Sequence, residues 1–260
     1  VIHSKRRDGF TLVELLVVIV IIAILIGILL PAIQKVRDSA DRARAFNDIS
    51  QLSNSIGQFQ STFNCPPPPT TIDLSNNSSM TYLNRVWPRL SGPPGLGHID
   101  GNQSLQVFLG GYSNGVYYQG FISSQSAPFG SGTTKTGPFF EFPAARIKNG
   151  YFCDPWGTPY VYMASYNGGD YNVYGSGQIF GGPFAGVTVQ PFIDSTGKYV
   201  NYNSFQIISA GTNGSSSVTN GGFGPGGSWT PGASPYIVNQ TLGGDDISNF
   251  WGGMLGAKQQ

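Results

Sequence analysis

The chain has 260 residues, of which 40% are hydrophobic and 10% charged, with a formal net charge of +1. A balance so near zero leaves no electrostatic footprint for nucleic acid, and two cysteines outside any Cys-x-x-Cys or histidine-containing spacing argue against dithiol redox chemistry and zinc. The charges are unevenly placed: residues 1–48 hold seven of the fourteen Lys and Arg, whereas residues 49–260 hold 35 of the 37 Gly.

The chain opens with Lys5-Arg6-Arg7, then Gly9, then an apolar stretch from Phe10 to Leu30 interrupted only by Thr11 and Glu14. Twenty-one such residues are long enough to span a bilayer core of about 30 Å. Basic residues on the leading flank keep residues 1–9 in the cytoplasm and send the chain beyond Leu30 across the membrane. A cleaved secretory signal is the competing reading. The stretch is too long for a signal core, and no small-x-small site lies between Leu30 and Lys35. Glu14 is the costly residue, because a carboxylate at that depth costs several kcal/mol unless it is paired, protonated or snorkelled to the interface.

The run Gly9, Phe10, Thr11, Leu12, Val13, Glu14, with its basic leader and apolar continuation, resembles the N-terminus of type IV prepilins and of type II secretion pseudopilins. The resemblance implies that a prepilin peptidase cuts between Gly9 and Phe10 and methylates the new Phe10 amine. It also implies that Glu14 pairs with the N-terminal amine of a neighbouring subunit and sets the register of a filament packed from apolar helices.

Pro31 removes a backbone donor and crowds the preceding turn, so it either kinks the helix or locally melts it, and Gly27 loosens the same region. Beyond it, Val36, Ala40, Ala43, Phe46, Ile49, Leu52, Ile56, Phe59 and Phe63 recur at spacings of three and four, predicting an amphipathic helix. Phe10 to Phe63 as one helix would be about 80 Å long. The mixed charges Lys35, Arg37, Asp38, Asp41, Arg42, Arg44 and Asp48 make either a solvated face or a set of contacts between subunits. Cys65-Pro66-Pro67-Pro68-Pro69 ends the helix, since proline cannot continue it.

The remainder of the chain is rich in Gly, Ser, Asn, Tyr and Phe, predicting short strands and long loops. Tyr112 to Ile122 and Pro138 to Phe142 read as strand or loop fragments, and Asn167 to Phe192 as a hairpin-rich stretch. The formal Gly-x-Gly-x-x-Gly at Gly222 to Gly227 contains Pro225 and lacks a surrounding βα pattern, so it reads as a loop. Asp154-Pro155-Trp156-Gly157 prescribes a type I turn: Asp to bond the backbone, Pro to fix φ, Gly in fourth place. A strand should leave that turn through Tyr160-Val161-Tyr162. Together with Phe205 to Gly214 it looks like the C-terminal sheet of the major type II pseudopilins, separated by inserted segments 66–150 and 164–202 that either decorate a filament or make the subunit a minor or tip component.

The resembled family binds calcium in its last loop. That likeness nominates Asp245 and Asp246, with Asn213 standing where the family has an acid and Ala210 where it offers a carbonyl. Calcium takes six to eight oxygen ligands, which a folded-back loop can gather. Alternatively, Asp245 and Asp246 cap a short helical turn at Ile247 to Trp251. In an exported, oxidising setting, Cys65 and Cys153 are candidates for a disulfide across a loop of nearly ninety residues.

An enzyme reading has little to work with. His3 and His98 are the only histidines, and Glu141, Asp154, Asp170 and Asp194 are scattered among turn residues, so neither a triad nor a carboxylate pair can be nominated. The rival of a different class is a membrane-tethered adhesin or glycan-binding module, suggested by the aromatic, Asn- and Gly-rich region.

The resulting expectation is an α+β chain of the type IV pilin kind, with a long N-terminal helix on a small antiparallel sheet. Its parts are a leader (1–9), a transmembrane helix and filament core (10–30), an amphipathic continuation (31–64) and a periplasmic head (65–260). The implied role is a non-enzymatic filament subunit anchored in the bacterial inner membrane by lipid contact before assembly. The implied partners are the prepilin peptidase, an inner-membrane platform with its ATPase, and further pseudopilins, with no nucleic acid among them.

Overall fold

The first element, α1 (Leu12–Phe63), is a 52-residue helix. The Val17 to Ile22 run would favour strand in water on intrinsic preference. In lipid every backbone group must be satisfied within the segment, and helix is the solution open to a single span. The computed structural model describes residues 12–75, 77, 80–99, 101–111, 113, 118–165, 178–179, 188–189, 191, 199–201, 203–213, 228–229 and 247–250.

Residues 1–41 form one unit and residues 42–260 another. In the first, the apolar face is bare all round, with Leu12 78% and Ile28 70% exposed. By length and composition it is able to cross a membrane, its mean hydropathy reaching 3.4. Helical geometry continues unbroken through Pro31, so the proline does not melt the helix. A proline within a helix crowds the carbonyl four residues back, which here belongs to Gly27.

In the second unit α1 buries Ala45, Ile49, Leu52, Ser55, Ile56 and Phe59. The expected seam therefore holds from Ile49 onward, while Val36, Ala40 and Ala43 are exposed and Ala45 is the buried alanine instead. Around the helix end an aromatic cluster closes. Phe59 packs on Phe108, Phe121 and Phe139 with ring centroids 5.9, 6.3 and 5.6 Å away, and Phe63 packs edge-on to Trp87 at 5.5 Å. Each such contact adds about 1 kcal/mol beyond area burial. All of these partners come from segment 66–150, so that segment supplies the core against α1 and is more than surface decoration.

The proline run is itself buried at Pro67, Pro68 and Pro69. It has no N–H to satisfy, and its carbonyls are taken by hydroxyls: Tyr82 donates to Pro66 (3.2 Å), Tyr162 to Pro68 (2.7 Å) and Ser104 to Pro69 (2.6 Å). Three short elements come next, β1 (Ile72–Asp73), α2 (Met80–Val86) and β2 (His98–Ile99), with β1 antiparallel to β2. After them stand α3 (Gly101–Leu105), continued by a wider π turn over Gln106–Gly110, and the antiparallel pair β3 (Phe121–Ile122) and β4 (Lys135–Thr136). Strands β5 (Ile147–Lys148) and β6 (Tyr151–Phe152) form a hairpin through Asn149 (φ 51) and Gly150 (φ 83), the Asn-Gly pair that a two-residue turn of this twist requires.

The main sheet holds β7 (Val161–Ala164), β10 (Phe205–Ser209) and β12 (Ile247–Ser248) in the order β12-β10-β7, all antiparallel. Every residue of these three strands is buried, so both faces are covered. A second sheet joins β8 (Gln178–Ile179) antiparallel to β9 (Thr188–Val189), with β11 (Ser228–Trp229) parallel to β9. The β8–β9 pair lies where the sequence predicts hairpins. Most of 167–192, and the glycine loop 222–227, lie outside the described residues. The architecture is α+β, a long amino-terminal helix followed by small, mainly antiparallel sheets.

Candidate functional site

Glu14 sits in the first turn of α1, where the positive end of the helix dipole favours a carboxylate. Gly9 and Phe10, the expected cleavage and methylation positions, lie outside the described residues.

In the second unit the side-chain chemistry concentrates on the predicted turn. Gly157 N–H donates to the Asp154 carbonyl at 3.0 Å, closing the turn, and Gly157 has a φ of +94°. Asp154 Oδ1 accepts the Trp156 and Thr158 N–H groups at 3.1 and 2.9 Å, and Ser209 Oγ donates to Oδ2 at 2.7 Å. The turn is thus pinned from β10, and β7 leaves it as expected. Burial drives the Asp154 carboxyl up to about 6, although Ser209 and the Thr158, Trp156 and Gly157 amides all favour its charged form.

Beside the turn, an ion pair reaches α1. Arg146 Nη1 lies 2.6 Å from Asp48 Oδ2, and Tyr160 Oη donates to the same oxygen at 2.7 Å. Arg146 Nε and Nη2 donate to the Cys153 carbonyl at 3.0 and 2.6 Å, and its guanidinium covers the Phe152 ring 4.7 Å from the centroid. Burial works against the guanidinium charge, but Tyr160 and the hydrogen-bonded Asp48 outweigh it and raise the Arg146 pKa. Tyr160 is raised by burial first and by Asp48 second.

The sequence pattern groups Asp48 with a solvated or inter-subunit charge set. The structure turns it inward within its own chain. It also reveals Asn102, a buried amide that substitutes for a strand. Its Nδ2 donates to the Phe152 and Tyr160 carbonyls at 2.9 and 2.7 Å, and its Oδ1 accepts the Phe152 N–H at 2.8 Å. Asn249 does the same for β10, accepting Ile207 N–H at 2.8 Å. The sequence marks neither, since asparagine in a Gly-rich chain reads as a loop residue.

Cys65 and Cys153, the candidates for a disulfide, are separate buried thiols. Each has its own surroundings. Cys65, raised to about 11 by burial, bonds Tyr82 at the end of α1; Cys153, also raised by burial, donates to the Tyr151 carbonyl.

Of the candidate calcium donors, Ala210 is fully buried just past β10, and Asn213 ends a 3-10 turn over Gly211–Asn213. Asp245 and Asp246 lie outside the described residues. Ile247, the residue after Asp246, pairs with Ser209, the residue before Ala210. Ile247–Ser248 is strand, which corrects the alternative of a helical turn there. An all-oxygen donor set of carbonyl, amide and carboxylates suits a hard cation in kind. Among the described residues, no three His, Cys, Asp or Glu side chains come together to hold a metal. His98 is exposed on β2 and Glu141 is exposed, whereas His3, Asp170 and Asp194 fall outside the described residues.

The prokaryotic N-terminal methylation motif matches residues 4–30. Over 58 residues the chain is 36% identical to the type II secretion system core protein G of Aeromonas hydrophila, covering 22% of this chain and 41% of that protein. The core protein G of Escherichia coli (strain K12) is 36% identical over 57 residues, covering 22% and 39%. That of Vibrio cholerae is 34% identical over 56 residues, covering 22% and 38%. The chain thus spans about two fifths of the length of the curated relatives it matches. No solved structure matches it. Its amino-terminal segment is pseudopilin-like.

Proposed function

We propose that this chain is a structural, non-enzymatic subunit of a type II secretion pseudopilus or a kindred type IV pilus-like filament. The observation that carries the reading is the methylation motif at residues 4–30 running directly into an apolar helix with no covering of its own. A prepilin peptidase cuts between Gly9 and Phe10 and methylates Phe10. The subunit waits in the inner membrane, leader inward and residues beyond Leu30 in the periplasm, with lipid around its helix. An inner-membrane platform and its ATPase then move it into a polymer with copies or sibling pseudopilins.

The physics of that transfer is exchange of one apolar environment for another. Lipid tails are as apolar as Leu and Ile, so helix packing gains little from hydrophobicity and relies on close contact and on polar groups that need partners. Glu14 supplies such a need, and the Phe10 amine of a neighbour satisfies it as a charge pair. Work done by the polymer is mechanical, and no bond chemistry is assigned to the chain.

The last loop takes calcium through the Asp245 and Asp246 carboxylates, the Asn213 amide and the Ala210 carbonyl. The ion would fasten the segment before β12 to the end of β10. A melting temperature that rises with added calcium but not magnesium, and no longer does so in Asp246→Ala, would support this. Identical melting with and without calcium would exclude it.

The rival, a membrane-tethered adhesin or glycan-binding module, gains no support from the comparisons. Of the Tyr and Trp residues that motivate it, Tyr82, Trp87, Tyr151, Tyr160 and Tyr162 are buried in the core and present no face to a sugar. The deciding measurement is the intact mass and N-terminal residue of protein extracted from membranes that contain the peptidase. Methylated Phe10 is the expected start, and a retained leader would remove the filament reading.

A further inference from the structure

The helix changes character at Ile49. Between Lys35 and Asp48, seven of fourteen residues are charged; from Ile49 to Phe63 none is. A solvated helix face in a chain with charge available normally uses it. Here the exposed positions are Asn47, Ser50, Gln51, Asn54, Gln58, Ser61 and Thr62, and five of them, Asn47, Gln51, Asn54, Gln58 and Ser61, follow one another at spacings of four, three, four and three. That alternation lays the five along one line of the helix, a polar seam at the spacing by which one helix meets another, where polar side chains specify register and partner.

Two further observations concern what the seam can bind. It borders a shallow groove of about 640 Å³ lined by Asn54, Gly57, Gln58, Ser61, Thr62 and Phe139. Nothing lies within 4 Å of where a side chain at Gly57 would begin, so another backbone can come close. The hydroxyls in and beside the groove are already satisfied by their own helix. Ser53 donates to the Ile49 carbonyl at 2.7 Å, Ser61 to Gly57 at 2.8 Å and Thr62 to Gln58 at 2.7 Å. Covering them leaves no donor unpaired, so desolvation costs little. The amides both donate and accept, and so a face made of them can satisfy a copy of itself. A charged face would repel its copy unless both signs were matched.

We propose that Asn47, Gln51, Asn54, Gln58 and Ser61 form a contact surface for a second copy of this chain, with the groove beside Gly57 receiving the neighbour. This rests on the filament reading and adds a second, charge-free interface to the one made by the apolar helices.

The test uses full-length Asn54→Cys and Gln58→Cys variants in cells that supply the assembly system but no sibling subunits, with Arg89→Cys as an exposed position off the seam. Maleimide labelling rates are compared between detergent-solubilised monomer and sheared, sedimented filaments. At least tenfold slower labelling at positions 54 and 58 in filaments, with less than a twofold change at 89, is expected. Filaments that label equally fast at 54 and 58 would overturn the seam while sparing the filament reading. Protection seen only when sibling subunits are present would overturn the choice of a second copy. Failure to recover filaments from wild-type cells with every subunit would overturn both readings together.

Discussion

Arg146 and Asp48 stand 98 positions apart in the chain and 2.6 Å apart in space, a pair that joins the 3-10 turn just before β5 to α1. Their side chains are 25% and 13% exposed, so water weakens the pair without dissolving it. Asp48 also accepts from Tyr160, and Arg146 also holds the Cys153 carbonyl. Removing either partner therefore strands buried polar groups as well as a charge.

Asp48→Ala should accordingly destabilise the detergent-extracted chain by about 2–3 kcal/mol, below the range for a fully buried pair because of the partial exposure. Arg146→Ala should cost more, since two bonds to Cys153 and the cover over Phe152 go with it. A double-mutant cycle read by denaturant unfolding checks this, and a coupling near zero would mean that the pair is bystander geometry.

Asp154 makes the second prediction, with an unusual sign. Its folded pKa, about 6, is above the ordinary value of 3.8, so the folded chain holds this proton more tightly than the unfolded chain does. The corresponding stability is fully present below about pH 4 and is lost as pH rises through 6, amounting to about 3 kcal/mol. Asp154→Asn keeps an oxygen for the Trp156 and Thr158 amides and removes the titration. The difference in stability between wild type and variant should therefore shift in the variant's favour between pH 4 and 7. A difference that is flat with pH would refute the assignment.

The turn explains why part of this was readable in the sequence and part was not. Asp-Pro-Trp-Gly fixes its own geometry through local bonds, and the helix declares itself through apolar length and spacing from Ile49 to Phe59. Motifs of that kind are encoded in neighbours. Asp48, Asn102 and Asn249 work through partners 42 to 112 residues away, and nothing beside them in the chain distinguishes them from surface polar residues. The same holds for segment 66–150. Its phenylalanines look like loop decoration until Phe59 and Phe63 are placed among them.

Gly157 separates backbone strain from steric crowding. Its φ of +94° disfavours any side chain, and a Cβ there would meet Lys148 Nζ at 2.7 Å. Lys148 is exposed and flexible, so it can move aside. Gly157→Ala should cost about 1–3 kcal/mol, nearly all from the backbone. Adding Lys148→Ala should recover less than about 0.5 kcal/mol of it. Full recovery in the double variant, measured by chemical unfolding, would show that crowding was the cause.

The two thiols give the last prediction. Thiolate is the reactive form, and burial raises both Cys65 and Cys153 while closing them to solvent. Iodoacetamide at pH 8 should modify neither in the folded chain within the time that labels a free peptide thiol. Both should react once the chain is unfolded without reductant. Because the pKa of Cys65 lies near 11, its thiolate fraction stays at about 1% or less at pH 9, so labelling should remain slow there although it rises about tenfold from pH 8. Two carbamidomethyl groups per unfolded chain, counted by intact mass, would establish the free thiols in the natural setting. Mass unchanged until reductant is added would mean that the cell joins Cys65 to Cys153.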